Sequence, residues 1–403
     1  MGGFVPATYP GDSALPIDGL RDPQNILSTR VVADVKDAVT FIEPEATPLV
    51  SITRGMKKSR TATQYRYDWI ERDPYPETVK VSGAQTSGDA SIETITGDGD
   101  KVMVDGLYKN LRTGELILAS SEAADVITAV RGIGAVAAQA MNDGDVLYLV
   151  STAHPDAGTL GSLKSVKERG EYNYTQIIRT AYGVTGRMDH TKLYGGADMT
   201  SERKAAAILH KKKVEKAFIF GSRDSRTHTN GKLQTFTGGI IETIKTNRWN
   251  LGGQAPSWDA VCDVLAHQMR WGNGGQTFGR GVKTLFCSSQ WISLFGKILH
   301  NKVDYEPMHE TLGVMVGAVK TPHGTINLVH EPIFDFFHED LALLLDLGHV
   351  SYVAHQGRDT KILKDRQAND EDSTKEELFV DCGIQVEVEM AHAVWSGLGT
   401  GGE

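Results

Sequence analysis

Apolar and polar positions along the chain change period several times, and each change marks a different kind of element. Between residues 26 and 52 the apolar positions Val31, Val32, Val35, Val39, Ile42 and Leu49 predict a short amphipathic helix, a turn at Glu43-Pro44 and a second short segment. Residues 60–73, carrying Tyr65, Tyr67, Trp69 and Ile70, alternate as a strand does and stop at Pro74 and Pro76. Strand-like runs follow at 101–105, 115–119, 126–130 and 146–150, punctuated by glycine and aspartate turns, and short strands at that spacing predict a small β-barrel or sandwich. A further strand at 175–184 is expected to pair back onto 60–73, which makes the β module an insertion at the tip of a long hairpin.

The strongest helical signal lies at 200–221. Thr200 or Ser201 caps the free N–H groups, Glu202 suits the positive end, and Gly221 supplies the stop, with Ala206, Leu209, Ala217 and Phe220 as the expected apolar face. A second helix is expected from Ser257 to Trp271, with Val261, Val264, Leu265 and Gln268 at helical spacing. A third runs from Ser289 to Leu299, with Trp291, Leu294, Phe295 and Ile298. Strands are expected at 325–330, 342–347, 350–354 and 378–390, the last placing Val380, Cys382, Ile384, Val386, Val388 and Met390 on one face. Residues 1–25, with Pro6, Pro10, Pro16 and Pro23 among small residues, show neither period and read as an extended arm.

With 403 residues the chain exceeds one hydrophobic core, so several sub-domains or large insertions are expected. Its 40% hydrophobic and 23% charged residues are those of a chain able to bury a core. The longest apolar candidate, 341–347, falls far short of the roughly 18 to 20 residues of a membrane span and contains Asp346, so no membrane partner is expected. Residues 1–20 lack a basic stretch followed by an apolar core, so synthesis and residence in a cytoplasm are expected. Cys262, Cys287 and Cys382 have no C-x-x-C spacing and read as buried thiols. A formal charge of -9 argues against gripping nucleic acid as the main task, yet suits a wall along which a polyanion slides.

Sharper chemistry finds little support. Residues 397–402 satisfy G-x-G-x-x-G, but no helix follows to receive a dinucleotide. His323, His330, His338, His349 and His355 lack H-x-x-x-H or H-E-x-x-H spacing and read as scattered structural histidines. Asp98, Asp100, Asp143 and Asp145 sit in glycine-rich turns without a full calcium-loop pattern, so they read as turn formers. No G-x-S-x-G elbow supports a hydrolase triad. No catalytic, cofactor-binding or metal-ligating residue is therefore assigned, and no cofactor is expected. Arg203, Lys204, Lys211, Lys212, Lys213 and Lys216 make the long helix basic, either as a solvated face or as one that meets a neighbour's acidic loop, such as Asp370-Glu371-Asp372, or DNA.

The order of segments resembles that of tailed-bacteriophage major capsid proteins with the HK97-like fold. The residues that carry the resemblance are Ile42-Glu43-Pro44-Glu45-Ala46-Thr47-Pro48-Leu49, Tyr67-Asp68-Trp69, Val130-Arg131-Gly132, the run from Tyr172 to Arg179, the stretch from Val214 to Gly221, and Gly238-Gly239-Ile240. The resemblance implies an α+β capsid subunit. Residues 1–57 would form the N-terminal arm and first peripheral segment, and 58–190 an extended loop carrying the inserted module at about 94–160. A peripheral domain at 191–254 would hold a spine helix at 200–221, followed by an axial domain at 255–350 and a return to the peripheral domain at 351–403. The candidate assembly contacts are Tyr67, Trp69, Arg131, Arg179, Lys212, Lys213, Asp370, Glu371 and Asp372.

Its implied partners are copies of itself in pentamers and hexamers, a separate scaffolding protein, portal and decoration proteins, and packaged double-stranded DNA contacted non-specifically. Location in a virion, after assembly in the host cytoplasm, follows from the same resemblance. Hinge-like glycines at the ends of the extended loop would let one surface serve rings of five and of six. The rival readings are an encapsulin-type compartment, a β-rich hydrolase with a concave site of paired carboxylates, and a phage tail component.

Overall fold

The computed structural model describes residues 47–55, 59–156, 164–191, 198–272, 281–299, 305–311 and 314–399. The expected arm and first helix therefore lie outside the described residues, except for the helix Pro48–Gly55. Two compact units divide the chain: residues 68–172 form one, and the segments on either side of them form the other.

The larger unit contains two large sheets and a two-stranded ribbon of Asp224–Thr227 with Leu233–Phe236. In the first, Ser59–Ala62 runs parallel to Val350–His355, which lies antiparallel to the long strand Ser373–Val386, and Gln176–Thr185 flanks that strand on its other side. Lys361–Leu363 adds a short edge pairing onto the long strand. The helix Asp198–Phe220 packs on this sheet, burying Val214, Phe218 and Ile219 against Ile178, Val380, Cys382 and Ile384. Its buried positions Ala206, His210, Val214 and Phe218 recur every four residues, so they form one row along the helix. The expected face is corrected at two positions: Leu209 is 46% exposed and Phe220 37%. A polar His210 and an ionisable Glu215 occupy buried places, which blurs the amphipathic pattern that sequence periodicity relies on.

The second sheet has seven strands in the order Arg248–Gln254, Ala393–Leu398, Ala342–Leu345, Val282–Cys287, Gly324–His330, Val314–Thr321 and Tyr305–Thr311. It thus recruits two strands from outside 255–350. Helices Trp258–Gln268 and Ser289–Leu299 supply Val261, Leu265, Trp291 and Phe295 to its core. Ser257 caps the first of these through a bond accepted from the Ala260 N–H at 3.2 Å.

Three strand expectations change. Gln176–Thr185 pairs with Ser373–Val386 and not with residues 60–73; the partner of Arg66–Glu71 is Arg169–Tyr174. Thr175 lies between Arg169–Tyr174 and Gln176–Thr185, and near this junction the Asn173 amide bonds Gly238 O (3.0 Å) and Ile384 O (2.8 Å) while its oxygen accepts from Tyr174 N and Gly238 N (both 2.8 Å). The run at 101–105 is no strand: Gly99–Lys101 is a single 3-10 turn, Asp105 adopts φ 60°, and the strand is Gly106–Asn110. The last long strand stops at Val386, since Val388 takes φ 52° and Glu389–Ala391 forms a 3-10 turn that leaves Met390 exposed.

The smaller unit is built on six strands in the order Thr78–Lys80, Val146–Thr152, Gly106–Asn110, Leu116–Ala123, Val126–Ile133 and Ser91–Glu93. A bridge between Val81 and Thr94 joins the two ends of this order, so the sheet closes into a small barrel. Val79, Ile92, Tyr108, Ile117, Ile127 and Leu147 fill it. The strands of the module begin at Thr78, ahead of the start at about 94 that the resemblance implies.

Candidate assembly surfaces

The nine candidate contacts separate into buried ties and exposed groups. Tyr67 is 4% exposed; its hydroxyl donates to Ile384 O at 2.8 Å, and burial pushes its ionisation far up. Gly383 makes room for it, since a Cβ there would stand 2.5 Å from the Tyr67 hydroxyl and 2.8 Å from Tyr174 O. Tyr67→Phe is expected to cost only about 1 kcal/mol in a denaturant titration, because the Asn173 amide still covers Ile384 O. A loss above about 3 kcal/mol would show that the hydroxyl does more than this one bond.

Arg131 is likewise internal. Its side chain is 6% exposed and grips the wholly buried Glu115 through Nε at 2.9 Å and Nη2 at 2.8 Å. Trp69 is half-buried and donates to Glu71 at 3.0 Å.

The exposed candidates all belong to the larger unit. Arg179 lies over the Phe379 ring at 5.4 Å and 3.4 Å from Glu377. Arg358 and Lys361 approach the same ring at 4.7 and 5.7 Å. Lys213 donates to Arg179 O (3.3 Å) and Thr180 Oγ1 (3.2 Å), which places it beside Arg179, while Lys212 is half-buried. Asp370, Glu371 and Asp372 form an exposed loop in which Glu371 is tied to Lys375.

A concavity of about 440 Å³ lies along residues 181–185 and 373–377, with Glu371, Glu376 and Glu377 on its wall. Lys375 holds Glu371 below the ordinary carboxylate range. Burial pushes Glu376 up, but Tyr182 and a forked Arg203 outweigh it and leave that carboxyl lowered as well. Neither of these two carboxyls is placed to hold a proton for acid catalysis near neutral pH.

Of the histidines, His330 pairs with Asp335 at 2.6 Å and His338 rests on the Phe220 ring. Among the described residues no cluster of three His, Cys, Asp or Glu side chains has metal-binding geometry. Cys287 and Cys382 are buried, and Cys262 is half-buried. Asp145 is more than a turn former: the Arg112 guanidinium, at 2.7 and 2.8 Å, holds it far below the usual carboxylate range. Among the described residues no helix is long and apolar enough to cross a membrane.

Gly239, one of the residues that carry the resemblance, lets its segment cross the end of the long helix, where its N–H donates to Gly221 O at 2.8 Å and a Cβ would stand 2.7 Å from Ile219 O. A buried carboxyl pair escaped the sequence reading. Glu215 and Glu331 are both wholly buried. Val214 before Glu215, and Phe218 and Ile219 after it, were the available signal of an ionisable group on a buried face.

Comparison with known proteins places this architecture. The model of the SU10 major capsid protein family matches residues 21–399. The major capsid protein of Pseudomonas phage PaMx41 is 21% identical over 327 residues, covering 78% of this chain and 76% of that one. The cyanophage A-1(L) capsid subunit matches with a TM-score of 0.51 at 10% identity, over 92% of this chain and 98% of that one. The capsid of the native GTA particle matches at 0.50 and 8% identity, over 94% and 100%. The fold is the α+β HK97-like capsid fold.

Proposed function

The chain belongs to the SU10 major capsid protein family, and on that premise we propose that this tailed-phage capsid subunit closes an icosahedral head of pentamers and hexamers around double-stranded DNA. The observation that carries the reading is the family match across residues 21–399, on a chain whose fold is that of capsid subunits.

In this reading the long helix and the five-stranded sheet form the peripheral domain, and the seven-stranded sheet belongs to the axial domain. The extended loop is the stretch 58–190, and the compact unit 68–172 with its barrel lies within it. The task is structural throughout, with no cofactor. The exposed Arg179 and Lys213, the half-buried Lys212, and the loop Asp370-Glu371-Asp372 are the surfaces offered to neighbouring copies or to DNA. Residues such as Arg131 and Tyr67 serve by stiffening the parts that make contact. Net charge of -9 supports a wall that repels packaged DNA while local cations touch it without sequence preference. A separate scaffolding protein, a portal and decoration proteins complete the proposed partners, with assembly in the host cytoplasm.

Electron microscopy of the full chain, alone and with its scaffold candidate, tests the reading. Closed shells tens of nanometres across are the expected result, and enclosed DNA in particles from infected cells separates a phage head from a cargo compartment. Well-folded monomers in both preparations would overturn self-assembly.

A further inference from the structure

Two carboxyl groups meet in the core of the larger unit. Glu215, on the long helix, accepts the backbone N–H of Leu49 at 2.7 Å through Oε1 and that of Val50 at 2.9 Å through Oε2. Those amides belong to the first turn of the helix Pro48–Gly55. Glu331, just past the strand Gly324–His330, faces Glu215 closely enough for the two side chains to hydrogen-bond. Its Oε1 lies 3.4 Å from Ile333 N, and its Oε2 is buried with no donor. Among the described residues neither carboxyl forms an ion pair.

Two carboxylates in contact cannot both ionise away from water, so the pair must keep a proton. The surroundings decide where that proton sits. Glu215 lies at the positive end of a helix and already receives two N–H donors, which favours charge there. Glu331 has an oxygen with nothing to accept from, and a protonated carboxyl donating from that oxygen to Glu215 satisfies both groups. Asp335 adds further negative potential on Glu331, although His330 and the Ser289 N–H engage it. Of the other charged groups on the packed elements, Arg54 turns to Asp359 and Glu242 accepts from Arg223 N. Lys211 and Lys216 on the long helix are exposed, and Lys212 is half-buried.

We propose that Glu215 and Glu331 form a proton-held latch that fixes residues 47–55 to the long helix, closed while the pair holds a proton and opened when alkali removes it. Burial raises Glu215 to about 7. Burial and the Glu215 charge raise Glu331 well above the ordinary carboxylate value. A carboxyl raised on folding contributes stability that is complete below its unfolded pKa of roughly 4.3 and is lost as pH climbs through the folded value. The latch therefore weakens as pH rises above roughly 4.3 and, through Glu331, goes on weakening above neutrality, opposite in sign to an ordinary surface ion pair lost in acid. In the shell reading it would free the segment preceding the sheets under alkaline conditions. The latch itself is a property of one subunit and is testable whether or not shells form.

The test is amide hydrogen exchange of the full chain between about pH 6 and about pH 9, expressed as protection factors to remove intrinsic base catalysis. Protection of Leu49 and Val50 is expected to fall by up to about tenfold per pH unit above neutrality, while amides of Ser373–Val386 hold. In Glu331→Gln, whose amide donates without titrating, that fall should vanish. Equal pH dependence in both proteins would overturn the proposal. Should the variant fail to fold, infrared spectroscopy of the native chain decides: a protonated-carboxyl band at neutral pH that alkali removes is expected, and its absence overturns the latch.

Discussion

Arg131→Ala is expected to destabilise the β module by about 3–5 kcal/mol, the usual cost of stripping one partner from a buried ion pair. The size follows from the geometry left behind. Glu115 is wholly buried and accepts four N–H groups: Arg131 Nε and Nη2, Gly132 N at 3.1 Å and Gln139 N at 3.0 Å. Arg131 also donates to Thr86 O at 2.7 Å and to Gln139 O, so a single guanidinium ties the strand Val126–Ile133 to two loops. Lysine does not substitute, because a point charge cannot present the fork.

Burial pushes the Glu115 carboxyl up, and Arg131 with the two amides outweighs it, leaving the group below its ordinary value. Its contribution is thus present above the unfolded carboxylate pKa and lost as pH falls through the lowered one. Hydrogen exchange across residues 78–152 in the full chain, at neutral and acid pH, reads both effects. Unchanged protection in Arg131→Ala would show that the barrel stands without this tie.

Trp395→Ala is expected to cost a further unit of similar size, about 3–5 kcal/mol, in the seven-stranded sheet. Trp395 is wholly buried, stands edge-on to Trp249 at 5.3 Å, and lies 5.5 Å from Trp291 and 6.5 Å from Phe295. Its indole N–H donates to the buried Gln268 Oε1 at 2.8 Å, so truncation opens a cavity and also orphans an acceptor. Urea unfolding measures the loss, and near-ultraviolet circular dichroism should lose the signal of the packed indoles. Trp395→Phe retains part of the volume but not the donor and should fall between. A change below about 1 kcal/mol for the alanine variant would mean the cluster repacks around the gap.

Elements whose burial follows a local period were legible in the chain. The helix Ser289–Leu299 appears at its expected bounds, and the strand at 146–150 and the capped helix after Ser257 lie within a few residues of theirs. The resemblance carried the fold further than periodicity did, because residues such as Gly239 are set by backbone crossings specific to one architecture. The candidate contacts were less legible. Sequence marks Arg131 and Arg179 alike as arginines on strands, yet one is sealed inside the barrel and the other lies open over Phe379.

The sequence by itself determined where most elements lie, that a run of short strands forms a β module, and that no catalytic motif is present, since period, turn chemistry and motif spacing are local properties. Only the tertiary structure decided strand partners, which face of the long helix is buried, and that Glu215 meets Glu331 across 116 positions of chain. Those outcomes depend on long-range burial: the same residue is a solvated charge or a sealed one according to what is folded over it, and no local pattern carries that information.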